Sequence, residues 1–166
     1  MKFLANILRS AFCLFSLTLE LGEYRRLDDH LTITNTLLFA NDLEHLENLC
    51  FQFMAIPEKQ LLKVIASCKT KLTIFNIGGI QLTEHDKGWV AIFRSLTTLP
   101  KLDFVRLSCL TTTDAADAAR APKLNFQNIK YNDKVEKSHL ALHNRREVTA
   151  GLQDLLNGPL LYMEEV

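Results

Sequence analysis

Leu72-Thr73-Ile74-Phe75-Asn76-Ile77 is the stretch on which the architecture turns. Phe75 and Ile77 are two apart, so in a strand they point to one side, and Ile74 and Asn76 point to the other. The pattern returns as Leu14-Phe15-Ser16-Leu17-Thr18-Leu19, as Leu46-Glu47-Asn48-Leu49-Cys50-Phe51 and as Leu102-Asp103-Phe104-Val105-Arg106-Leu107. The copies start at residues 14, 46, 72 and 102, an irregular spacing.

Each copy has a helical candidate ahead of it. Residues 2–11 place Phe3, Leu4, Ile7, Leu8 and Ala11 on one side of a helix. A shorter candidate spans Thr34 to Asn41. The third opens at Pro57, a favoured first helical position, and carries Leu61, Val64, Ile65 and Cys68 at helical spacing. The fourth takes Thr83 as N-cap, with Asp86 in the first turn and a face of Trp89, Ile92, Phe93 and Leu96. Pro100 stops it.

One such unit cannot bury its apolar face alone, but stacked units share a continuous core. An open doubly wound sheet would want near-continuous apolar strands. Here Ser16, Thr18 and Glu20 alternate with Leu17, Leu19 and Leu21, so one sheet face stays open. The expectation is an α/β leucine-rich-repeat solenoid of about four irregular helix–strand units with parallel strands. Residues 1–112 form the array, and 113–166 a C-terminal capping segment of the same domain.

Stacking the copies in register gives three rows across the open face. They are Ser16, Asn48, Ile74, Phe104; then Thr18, Cys50, Asn76, Arg106; then Glu20, Gln52, Gly78, Ser108. Ile74 and Phe104 form an apolar pair with Arg106 beside it, the composition of an interface anchor. The candidate binding residues are Ile74, Asn76, Phe104, Arg106, Gln52 and Glu20. Gly78-Gly79 lacks the phosphate-loop pattern and reads as a bulge or tight turn leaving the third strand.

After Leu110 the pattern changes. Thr111 to Asp117 reads as a loop or short helix, Leu124 to Tyr131 as a weak strand, and Ser138 to His143 as a strand with Leu140 and Leu142 on one side. Asn144 and Glu147 fit a capping box in its Asx form, ahead of a helix carrying Val148, Leu152, Leu155 and Leu156. Gly158-Pro159 ends it. The first strand has no cap of its own, which raises the expectation of a fragment or of one part of a longer architecture.

Composition narrows the function classes. The 166 residues carry 19 Lys+Arg and 19 Asp+Glu, so no global field favours nucleic acid or an anionic membrane. No apolar run is long enough to span a bilayer. Arg9 interrupts the N-terminal apolar run and no small-x-small site follows, which argues against a signal peptide. The four cysteines, Cys13, Cys50, Cys68 and Cys109, form no C-x-x-C pair and read as buried free thiols in a reducing compartment, cytoplasmic or nuclear. His139 and His143 have a helical metal spacing but lie in a strand-like stretch. Cys50 with His45 invites a thiol hydrolase, but no third residue orients the pair. No cofactor is expected.

The leucine pattern resembles leucine-rich-repeat regions of the ribonuclease-inhibitor-like kind. Gly88 to Leu96 ahead of Leu99-Pro100-Lys101-Leu102, and the closing Arg145 to Leu156, look like those of fungal F-box proteins, over roughly residues 4 to 156. That resemblance implies a non-enzymatic module that recognises a protein partner. It implies a ubiquitin-ligase adaptor as partner only if an F-box precedes this segment. The family shares no catalytic residues. A scaffold without any link to ubiquitin is the nearest alternative, and a small thiol or metal hydrolase a remote one.

Overall fold

In a computed structural model, residues 14–20, 43–84, 87–112, 123–126, 138–158 and 161–162 are described. The helices expected over 2–11 and 34–41, and Cys13 and Asp86, lie outside them. The described chain forms β1 (Ser16–Glu20), β2 (Asn48–Pro57), α1 (Glu58–Ser67), β3 (Ile74–Thr83), α2 (Trp89–Thr97) and β4 (Phe104–Ser108). It continues with β5 (Thr111–Thr112), β6 (Leu124–Asn125), β7 (His139–His143), α3 (Asn144–Asn157) and β8 (Leu161–Tyr162).

A six-stranded mixed sheet of order β1-β2-β3-β4-β7 organises the molecule, with β5 also paired to β3. Strands β1 to β4 are parallel, and β7 runs antiparallel to β4. This overturns the expected solenoid of repeats. The antiparallel strand places Leu142 opposite Val105 and Leu140 opposite Leu107. All four side chains are buried. The reason for the difference is physical. A period-two alternation fixes which side chains go inward, but it is the same read forwards or backwards, so it does not encode strand direction.

The parallel register is held at the start of each strand by a repeated device. The Phe15 carbonyl accepts from the N–H groups of Glu47 and Asn48, at 2.8 and 3.0 Å. The Glu47 carbonyl accepts from Thr73 and Ile74, and the Thr73 carbonyl from Asp103 and Phe104. A one-residue slip would break these bonds and turn every buried side chain outward.

Each of β2 and β3 is ten residues long. Both strands bend in the middle. Phe53, Gly79 and Cys109 have φ of 51°, 59° and 50°. They lie side by side, because Gln52 pairs Gly78 and Gly78 pairs Ser108. A left-handed residue inside β2, inside β3 and just past the end of β4 shifts the alternation, so Phe51 is followed inward by Met54, Ile77 by Ile80 and Leu107 by Leu110. The Gly78-Gly79 break therefore lies inside β3 and does not end it. Thr111 continues the sheet, where a loop or short helix was expected.

The helices pack on the other face. Leu61, Val64 and Ile65 of α1, Trp89, Ile92, Phe93 and Leu96 of α2, and Val148, Leu152 and Leu155 of α3 join the inward strand residues in one cluster. Fully burying one such side chain contributes about 1.5–3 kcal/mol. Helix α2 starts after Gly88, which has φ 58°. Thr83 is not its N-cap: it is the buried last residue of β3. The start of α2 is instead tied by Glu58, whose Oε2 accepts from the N–H groups of Lys87 and Gly88 at 3.0 and 2.8 Å. Trp89 Nε1 donates to the Thr111 carbonyl at 3.1 Å, locking α2 to β5. Among the described residues no helix is long and apolar enough to cross a membrane.

Candidate functional site

No helix of the described residues lies on the other side of the sheet. Three rows of side chains cross that open face, in register. Ser16, Asn48, Ile74 and Phe104 are consecutive partners, as are Thr18, Cys50, Asn76 and Arg106, and Glu20, Gln52, Gly78 and Ser108. Strand β7 extends each row, placing His143 beside Phe104, Ala141 beside Arg106 and His139 beside Ser108. Sequence reasoning placed neither histidine on this face. Their alternation with Leu140 and Leu142 was visible, but not the strand they would pair with.

The first row is apolar at the β3–β4–β7 end. Ile74 is 38% exposed, a large aliphatic side chain left in water on a sheet. Phe104 is half-buried and meets the His143 ring edge-on, with centroids 5.1 Å apart at 68°. Such a pair contributes about 0.5–1.5 kcal/mol beyond area burial and holds the Phe104 ring in place.

The second and third rows are polar. Asn76 Nδ2 donates to Cys50 Sγ at 3.4 Å, and Gln52 Nε2 lies 3.7 Å from the same sulfur. Asn76 Oδ1 is buried with no hydrogen-bond partner among the described residues. An unsatisfied acceptor of this kind costs about 1–3 kcal/mol. Gln52 and Ser108 lean over Gly78 from both sides, filling the space a side chain would take. Arg106 is exposed, and among the described residues no ion pair holds its guanidinium. Glu20 is exposed on β1, at the far end of the sheet from Arg106.

The structure therefore brings Ile74, Asn76, Phe104 and Arg106 together on two adjacent strands. Gln52 lies one strand away, and Glu20 is apart from them. The other chemical candidates do not assemble. His139 and His143 lie on a strand, and among the described residues no group of three His, Cys, Asp or Glu could hold a metal ion. His139 Nδ1 is 3.1 Å from Ser138 Oγ. The polar neighbours of Cys50 are the two amides, whereas His45 lies 3.4 Å from Glu44.

The cysteines also differ from the expectation of burial throughout. Only Cys68 is buried among the described ones, while Cys50 and Cys109 are partly exposed. They sit on the open face and at the bend, where alternation with leucine places a residue away from the core. Burial pushes the Cys68 thiol up to about 11, against a smaller lowering by its backbone hydrogen bond.

No family model, no curated protein and no solved structure matches this chain.

Proposed function

We propose that the chain is a non-enzymatic protein-interaction module whose partner docks on the open face of the sheet. One observation carries the reading: Ile74 and Phe104 are adjacent, solvent-facing apolar side chains on neighbouring strands, with an exposed arginine beside them that no ion pair holds among the described residues. A sheet normally covers such residues or replaces them with polar ones, and exposed apolar patches rimmed by polar groups mark interaction surfaces. Arginine and aromatic residues are enriched among binding hot spots. The free thiols of Cys50, Cys68 and Cys109 support a reducing, cytoplasmic or nuclear setting.

The test is affinity capture from cell extract, with the full chain and a Phe104→Ala/Arg106→Ala variant as baits. Circular dichroism verifies that both are folded. A protein bound by the wild type and lost from the variant is the expected result, followed by a direct titration with that purified protein. Identical capture by both baits would sink the open-face reading. A cullin-ligase adaptor retained by both would extend the proposal to a ubiquitin-ligase receptor, with its docking surface elsewhere. Its absence favours a scaffold unconnected to ubiquitin.

A further inference from the structure

The chemistry of the partner can be narrowed further, and this step rests on the open-face reading. We infer that the face takes a short, extended protein segment that carries an apolar side chain and a carboxylate two residues apart.

Along the three rows the only residues that carry full charge are Arg106 and Glu20. They stand on β4 and β1, with two strands between them. Strands are about 4.8 Å apart, so the two charges are separated by about 14 Å. That exceeds the screening length of about 8 Å at physiological ionic strength. Glu47 and Asp103 are exposed acids, but each precedes its strand and lies at the rim of the sheet. Asp103 is three residues before Arg106, about 10 Å along the strand. Next to Arg106 on the face itself stand Asn76 and Ala141, which are neutral. Among the described residues, the guanidinium thus offers a positive centre with no carboxylate beside it on the face. A planar guanidinium binds a carboxylate through two parallel hydrogen bonds.

Geometry supplies the second requirement. Phe104 and Arg106 are two residues apart on one strand and face the same way, about 7 Å apart. Ile74 pairs with Phe104 across the strands, so the apolar surface is two side chains wide. A ligand in extended conformation repeats the same spacing, because its own side chains at i and i+2 point to one side about 7 Å apart. An apolar residue on Ile74 and Phe104 then places an Asp or Glu two positions away over Arg106.

The probe is a library of random twelve-residue peptides, selected on the full chain and on Arg106→Glu and Ile74→Asp variants verified as folded. Selected peptides are expected to pair Leu, Ile or Phe with Asp or Glu two positions away. Synthetic copies should bind Arg106→Glu at least tenfold more weakly, and selection on that variant should favour Lys or Arg at the acidic position. Peptides that lose binding to Ile74→Asp yet bind Arg106→Glu as they bind the wild type would overturn the acidic requirement while leaving the open face in place. Peptides indifferent to both substitutions would overturn the face as well. A selection that enriches nothing would overturn the short linear segment.

Discussion

Cys68 shows how a single interior residue sets a measurable property of the whole chain. It closes α1, and its Sγ lies 3.1 Å from the Val64 carbonyl and 3.5 Å from that of Ile65, within reach of its weak S–H donor. Burial raises its folded-state value from 9.0 to about 11. The unfolded thiol ionises first as pH rises, so the folded state loses stability between about pH 9 and pH 11. The full loss approaches roughly 3 kcal/mol, from two units at 1.36 kcal/mol each. Urea titrations at pH 8, 9.5 and 10.5 should show this decline, and Cys68→Ala should remove most of it from its lower starting stability. Two neighbouring glycines give a sharper contrast. Gly79 has φ 59°, and a methyl there would lie 2.6 Å from Phe53 Cδ1. At Gly78 a methyl meets only the flexible ends of Gln52 and Ser108. Gly79→Ala should therefore cost about 1–3 kcal/mol through backbone strain and crowding. Gly78→Ala should cost less, about 1 kcal/mol, because this buried position needs no positive φ and an added methyl displaces only the side-chain ends of Gln52 and Ser108. Equal costs in thermal unfolding would mean that the bend is not fixed by the residue at position 79.

At the scale of elements, the junction of β7 and α3 is the best-specified local structure. Asn144 has φ 63°, which a short polar side chain tolerates better than most. Its Oδ1 accepts from the N–H groups of Arg146 and Glu147 at 3.1 and 3.2 Å. Glu147 reaches back, accepting from the His143 N–H at 2.9 Å and from Asn144 Nδ2 at 3.0 Å. The chain thereby turns sharply from strand to helix, and Gly151 lets α3 approach Leu142, whose methyl carbons would lie 2.6 and 2.7 Å from an added Cβ. Asn144→Ala should lower stability by about 1–2 kcal/mol, losing both the cap and the tolerance of positive φ. Asn144→Gly keeps the backbone freedom and should cost only a few tenths, about 0.3 kcal/mol. Chemical denaturation of both variants checks the order, and equal costs would mean that the side-chain bonds, not the backbone, dominate the turn. This junction was legible from the Asn144–Glu147 spacing alone, because capping is local in sequence. The start of α2 was not. Its tie, Glu58 to the N–H groups of Lys87 and Gly88, joins residues far apart in sequence, and Thr83 offered a plausible local substitute.

At the scale of the molecule, alternation made the inward residues and the lateral rows legible, because burial in a half-exposed strand repeats every two residues. It left strand direction open, and so the antiparallel β7 was missed and with it the place of His139 and His143 on the open face. The bend was missed for a related reason: Phe53 and Cys109 adopt positive φ without being glycine, and only Gly79 announced it. The same topology bears on whether residues 113–166 are an accessory to a self-sufficient array. Leu124, Phe126, Leu140, Leu142, Val148, Leu152 and Leu155 belong to the same buried cluster as the strands before them. Removing them uncovers Val105 and Leu107 on β4 and the flank of α2 that α3 packs against. Arg145 Nη1 also donates to the Pro100 carbonyl, joining α3 to the turn before β4. Large core truncations already cost about 2–5 kcal/mol each, and a whole domain has only about 5–15 kcal/mol in hand. A fragment of residues 1–112 should therefore show no cooperative thermal transition and should bind a hydrophobic dye, whereas the full chain unfolds in one step. Leu49→Ala, under the centre of the sheet, should cost about 2–5 kcal/mol in the full chain. A fragment that melts cooperatively would mean that the four parallel strands and their helices form a core without β7. The antiparallel strand would then be an addition to the fold and not the element that completes it.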